Sequence, residues 1–124
     1  MNNEELIEIA KQAREKAFAP ISNFKVGAAV LTKDNKVYSG CNVEDPSGIG
    51  ITNICAERCA MVKAVSEGER EFVKIAAVGG APCGACRQYL NSFNSDMKIV
   101  FMENDEIKEL SLNELLPYKF DEKF

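Results

Sequence analysis

Between residues 3 and 17, Leu6, Ile9, Ala10, Ala13 and Ala17 recur at helical spacing, with Asn2 or Asn3 placed to cap the helix they predict. Pro20 bars its continuation. The Val- and Ala-rich run over 25–32 predicts a strand, Asp34-Asn35 a turn, and 36–43 the returning strand of a hairpin. Residues 45–53 hold Pro46, Ser47, Gly48 and Gly50 and predict a loop. A second helix is predicted over 54–67, stopped by Gly68. A largely apolar strand over 71–78 and a Gly79-Gly80 turn follow. Pro82 suits the first turn of a third helix reaching about Phe93. A strand over 97–102, a turn at Asn104-Asp105, a short strand over 107–111 and a helical turn over 112–116, stopped by Pro117, complete the pattern.

This order predicts an α/β fold: a three-layer α-β-α arrangement around a mixed five-stranded sheet. Strands separated by helices are expected to form parallel crossovers, and the first hairpin is antiparallel. At 124 residues and 46% apolar, the chain is expected to be a single soluble domain over 1–124. It shows no repeat, low-complexity tract or linker. No apolar run reaches membrane-spanning length. The acidic, polar start Met1-Asn2-Asn3-Glu4-Glu5 does not read as a signal peptide, so a cytoplasmic location is expected. The net charge is −4 and the pI about 4.9. Lys and Arg are scattered singly among acids, with no basic stripe to track a phosphate backbone, which argues against a polynucleotide partner.

The chemistry concentrates in the cysteines. There are five, an odd set, and no histidine, so any zinc site must use sulfur and carboxylate. A Cys-x-x-Cys in a cytosolic chain favours metal or redox chemistry over a disulfide framework. Cys83 and Cys86 are three apart, which on a helix puts their side chains about 60° apart on one face. At a helix start, unpaired N–H groups favour thiolate. Cys55 opens the preceding helix, so two helix tips could converge on one ion. Three ligands leave a fourth position for water, the arrangement of a catalytic zinc. Glu57 could serve as its base if the ion sits off the helix tip, since an ideal helix turns residues two apart about 200° from each other. Taken alone, Cys55 reads as a buried core cysteine, and a lone Cys-x-x-Cys fits redox or structural-zinc proteins as well. Cys41 and Cys59 are assigned to packing, although spacing alone leaves Cys59 open as the third ligand.

The chain resembles the small homotetrameric cytidine deaminases. The resemblance rests on Cys55-Ala56-Glu57-Arg58, on Pro82-Cys83-Gly84-Ala85-Cys86-Arg87-Gln88, and on Asn23-Phe24-Lys25-Val26-Gly27-Ala28-Ala29. Cys41-Asn42-Val43-Glu44 and Glu114-Leu115-Leu116-Pro117 with Phe120 extend it over nearly the whole chain. It implies a cytidine deaminase-like fold and one Zn²⁺ per subunit on Cys55, Cys83 and Cys86. Glu57 is implied as proton shuttle, with Cys59 excluded from ligation. It further implies that the Ala56 backbone receives the pyrimidine carbonyl, Phe24 packs near the nucleoside, and Asn42 and Glu44 hold sugar hydroxyls. Phe120 would reach a neighbouring subunit's site in a homotetramer. Asn42 and Glu44, two apart at a strand end, point to one face, as shared recognition of a ribose would need.

The implied activity is hydrolytic deamination of cytidine or deoxycytidine at C4, a step of pyrimidine salvage, with a small nucleoside as partner. Three thiolates around Zn²⁺ leave one net negative charge, which blunts the metal. Arg58, and with it Arg87, is therefore expected to withdraw charge from ligand sulfur. Two departures from the family pattern stand out. The segment 45–54 is longer by about two residues and lacks a tyrosine, and 79–81 looks shortened. The unusual loop motivates one alternative, a deaminase of a modified cytosine nucleoside such as blasticidin S. A non-catalytic zinc-stabilised binding module explains the cysteines but leaves Glu57 without a role. A dithiol redox protein would cycle Cys83 and Cys86 without metal.

Overall fold

Helix α1 (Asn3–Arg14) starts from a reciprocal cap: Asn2 Oδ1 accepts the Glu5 N–H at 2.8 Å, and Glu5 Oε1 accepts the Asn2 N–H at 3.1 Å. Glu4 and Glu5 in its first turn and Lys11 and Arg14 in its last complement the helix dipole. It ends three residues before the predicted 17. Phe18 leaves the helical path to pair with the segment beyond the hairpin, donating its N–H to Asn42 O and accepting that of Glu44. The buried face is accordingly Leu6, Ile7 and Ala10, with Ile9 and Ala13 at its margin.

The computed structural model describes residues 1–121. After α1 come β1 (Gly27–Thr32), β2 (Val37–Cys41), a 3-10 turn (Gly50–Thr52), α2 (Ala56–Ser66), β3 (Phe72–Val78), α3 (Gly84–Asn91), β4 (Lys98–Glu103), β5 (Glu106–Ser111) and α4 (Leu112–Leu115). The five strands form one mixed sheet in the order β2-β1-β3-β4-β5. Only β3 and β4 are parallel neighbours. The expected parallel crossover holds for β2 and β3, which run in the same direction but are not neighbours: β1 lies between them and is antiparallel to both. The β2–α2–β3 connection therefore steps over a strand, an arrangement that loop length and periodicity do not encode.

Alternation along β1 divides the core. Ala29 and Leu31 face α1 with Ala76, Val78 and Val100, while Ala28 and Val30 face α2, α3 and α4 with Ile75, Ile99 and Phe101. Helices thus cover both faces of the sheet, as the three-layer reading expects. Met61 of α2, Leu90 of α3 and Leu112 of α4 are fully buried on the second face. Each such side chain contributes about 1.5–3 kcal/mol by leaving water. Gly40 lets α2 lie directly against β2, because a Cβ there would stand 2.5 Å from the Ala60 nitrogen. No helix among the described residues is long and apolar enough to cross a membrane.

Candidate metal centre and active site

Pairing register places the site. Cys41 at the end of β2, Gly27 at the start of β1 and Val78 at the end of β3 lie side by side. The segments leading away from that edge, 18–26, 42–55 and 79–83, therefore meet beyond it. Two of them deliver the chain into α2 and α3, so both helix N-termini point into the same space.

Cys55 and Cys83 are the N-caps of α2 and α3, each with extended backbone (φ −74°, ψ 154° and φ −68°, ψ 170°), and Cys86 lies in the first turn of α3. This differs from the predicted starts at 54 and 82: Pro82 precedes the cap and is not the first helical residue. It also removes the 200° difficulty at Glu57, since Cys55 is not on the ideal helix. The sulfur atoms of Cys55, Cys83 and Cys86 all lie within 4.8 Å of one another. Neither cap sulfur makes a capping hydrogen bond, which leaves its lone pairs for another partner. Cys59, the residue that spacing left open, is not in this group. Its Cβ lies under β2, 2.8 Å from where a Gly40 side chain would begin.

Three thiols this close cannot all ionise unaided. Burial raises the Cys86 thiol far above its ordinary range, reinforced by the charges of Glu57 and Cys55. Burial also acts to raise Cys83, but the backbone N–H groups of Cys86 and Ala85 and the neighbouring thiols outweigh it. The net shift of Cys83 is downward. The N–H groups fall short of a capping bond yet still favour thiolate. A soft, tetrahedral-preferring divalent cation resolves the conflict, and the donor set of three convergent sulfurs fits one Zn²⁺.

Arg58 stands where a capping box carries its Glu or Gln, and it reaches back with the opposite polarity: Nη2 donates to Asn53 O at 3.2 Å and lies 3.4 Å from Cys55 Sγ. The interaction with Cys55 raises the Arg58 pKa further. Arg87 behaves differently. Its Nε donates to Pro82 O at 2.7 Å and its Nη1 to Leu115 O at 2.8 Å, so its hydrogen bonds tie the α3 entry to the end of α4.

Beside the sulfurs opens a cavity of about 210 Å³, whose lining includes Phe24, Asn42, Ala56, Glu57 and Cys83. Glu57 as a residue is only 4% exposed. Burial raises its pKa, opposed by its own backbone N–H and by the Arg58 charge. Glu57 is thus a protonatable group held next to the thiol cluster, outside the set of three sulfurs. Among the described residues, Glu44 and Phe120 stand outside the cavity lining. The Glu44 carboxylate accepts from the Ile21 and Ser22 N–H groups, each at 3.0 Å, and from the Ser22 hydroxyl. Phe120 is held by its backbone to Gln88 and Asn91, with its ring outward.

Val26, Gly79, Gly80 and Ala81 also line the cavity, and sequence reasoning gave them no part in the site. Gly79 sits at φ +119°, and a Cβ there would meet Lys25 O at 2.9 Å. Consecutive glycines just ahead of Pro-Cys were the available signal.

A convergent cysteine cluster at two helix tips, with a buried carboxylate in the adjoining cavity, is the architecture of a zinc-dependent deaminase. The family described as cytidine and deoxycytidylate deaminase zinc-binding region matches residues 1–103, and the chain belongs to it. A cytidine deaminase of Halalkalibacterium halodurans is 46% identical over 127 residues, covering 97% of this chain and 95% of that protein. The crystal structure of cytidine deaminase from Burkholderia pseudomallei superposes with a TM-score of 0.89 at 47% identity, covering 97% of this chain and all of the other. A blasticidin-S deaminase of Bacillus cereus is more distant, at 29% identity over 129 residues, covering 94% of this chain and 90% of that protein.

Proposed function

We propose that the protein hydrolyses the exocyclic amine of cytidine and deoxycytidine, consuming water and releasing ammonia and the corresponding uracil nucleoside. The observation that carries this reading is the triangle of Cys55, Cys83 and Cys86 sulfurs beside the buried Glu57. In the proposal the three cysteines would hold Zn²⁺, whose Lewis acidity would make water a competent nucleophile near neutral pH.

Glu57 carries the protons. Its carboxylate takes one from the attacking water, passes it to ring N3, and then helps protonate the amine leaving C4. A carboxyl raised by burial suits both halves of that task. In this reading the Ala56 N–H, at the start of α2, donates to the C2 carbonyl. Phe24 packs against the nucleoside. Asn42 is already bound to two backbone groups, yet it keeps one N–H and one acceptor site for a sugar hydroxyl, and Glu44 keeps one acceptor site.

The outward ring of Phe120 supports a homotetramer in which it completes a neighbouring copy's site. A cytoplasmic role in pyrimidine salvage fits the acidic composition and the nucleoside substrate. The distance of the blasticidin-S relative places the modified-nucleoside reading second.

The test is an ultraviolet assay of purified protein, with measured zinc content, against cytidine, deoxycytidine, cytosine and blasticidin S. Loss of absorbance on the first two, abolished by a chelator and restored by zinc, is the expected result. Zinc-loaded protein inert on all four overturns the proposal.

A further inference from the structure

Phe24 is 52% exposed, on a loop, and nevertheless lines the cavity beside Glu57. Both of its peptide groups are held by side chains. The Phe24 N–H donates to Ser22 Oγ at 3.0 Å, and its carbonyl accepts from Asn42 Nδ2 at 2.9 Å. Asn42 Oδ1 accepts the next N–H along the cavity wall, that of Val26, at 2.8 Å. The chain between Ser22 and Phe24 turns through Asn23 at φ +58°, a left-handed conformation that Asn tolerates better than most residues. Asn23 N–H in turn donates to Ala19 O at 3.0 Å.

The Ser22 hydroxyl is the hinge of this arrangement. It donates to Glu44 Oε2 while its oxygen accepts from Phe24 N–H, so it couples a nearly buried carboxylate to the backbone of an exposed aromatic. Glu44 is otherwise saturated on its other oxygen by the Ile21 and Ser22 N–H groups. A free loop could swing an aromatic ring through several rotamers and backbone states, and a ring fixed before the ligand arrives avoids that ordering cost at binding.

We infer that Ser22 is a positioning residue for substrate: through Glu44 on one side and the Phe24 N–H on the other, it pre-sets the Phe24 ring at the cavity wall. The inference rests on the deaminase reading. It concerns binding and not the proton transfers, because Ser22 does not line the cavity and touches none of the sulfurs.

The experiment is steady-state kinetics on cytidine for the zinc-loaded wild type, Ser22→Ala and Ser22→Thr. Losing the hydroxyl is expected to raise KM about tenfold, the size of one hydrogen bond's contribution. The kcat should stay within about twofold and the zinc content should not change, since the catalytic groups lie on other segments. Ser22→Thr, which keeps the hydroxyl, restores KM. An unchanged KM in Ser22→Ala overturns the inference. So does a parallel loss of kcat, zinc or folded protein, which marks a merely structural role. A wild type inert on cytosine nucleosides defeats the deaminase reading and this inference with it, whereas an active wild type with an indifferent Ser22→Ala defeats the inference alone.

Discussion

Arg58 Nη2 lies 3.4 Å from Cys55 Sγ and 3.2 Å from Asn53 O, so one guanidinium nitrogen joins a cap sulfur to the loop that precedes it. Three thiolates and a divalent cation leave a net negative site, and a cation on one sulfur offsets it. Arg58→Gln is expected to retain zinc but lower kcat by about tenfold, the loss of one charge-assisted hydrogen bond. Arg58→Lys supplies the charge without the planar fork that spans sulfur and carbonyl, so it should recover only part of the activity. An Arg58→Gln enzyme with wild-type kcat and full zinc removes Arg58 from the charge balance.

The cysteine assignments separate cleanly. Cys55 belongs to the sulfur triangle and Cys59 does not. Cys55→Ala should lose most of its zinc by atomic absorption, while Cys59→Ala keeps about one ion per chain, as a site of three protein ligands requires. Glu57→Ala should keep its zinc and lose about 10²–10⁴-fold in kcat, the usual worth of a positioned acid–base group. The reverse pattern between the two cysteines would exchange their roles.

Much of this was legible in the chain because it depends on local rules. Gly68 and Pro117 stop helices where expected, and the first strand was legible in the Val- and Ala-rich run over 25–32. The convergence of Cys55 with Cys83 was legible from two helix starts and a spacing of three. Long-range order was not. Nothing local says that β1 inserts between β2 and β3, because that order is a matter of long-range pairing. The commitments of Asn42 and Glu44 were equally hidden. Their two-residue spacing reports a shared face, but not that the backbone of 21–26 would occupy their polar atoms first.

Gly40 links stability to the site. A methyl group there would press on the Ala60 nitrogen at 2.5 Å, Cys59 Cβ at 2.8 Å and Ala56 O at 2.9 Å. Two of these are helix backbone and cannot move alone, so α2 must lift from the sheet. Gly40→Ala should cost about 1–3 kcal/mol, as overpacking does, seen as a fall in the thermal midpoint of several degrees. Because Cys55 caps α2 and Glu57 lies in its first turn, zinc affinity should fall too. A variant as stable as wild type would show that α2 has more freedom over β2 than this packing allows.

The unusual 45–54 segment is organised around one carboxylate. Asp45 Oδ1 accepts the Ser47 N–H at 2.8 Å and the Ser47 hydroxyl at 2.7 Å, Oδ2 accepts the Thr52 hydroxyl at 2.5 Å, and Asn53 Oδ1 accepts the Asp45 N–H at 2.6 Å. The hydroxyls of Thr52 and Ser47, then the Ser47 N–H, hold the Asp45 pKa below its ordinary value. A carboxyl lowered by folding stabilises the fold fully above its unfolded pKa of about 3.9, and that contribution fades as pH falls through the folded value. Asp45→Asn should therefore be less stable than wild type at neutral pH, and the gap should close on acidification below the ordinary carboxylate range. Thermal denaturation of both proteins across pH measures this directly. A gap that persists unchanged into strong acid would mean that the loop is held by its neutral contacts, with the Asp45 charge contributing nothing.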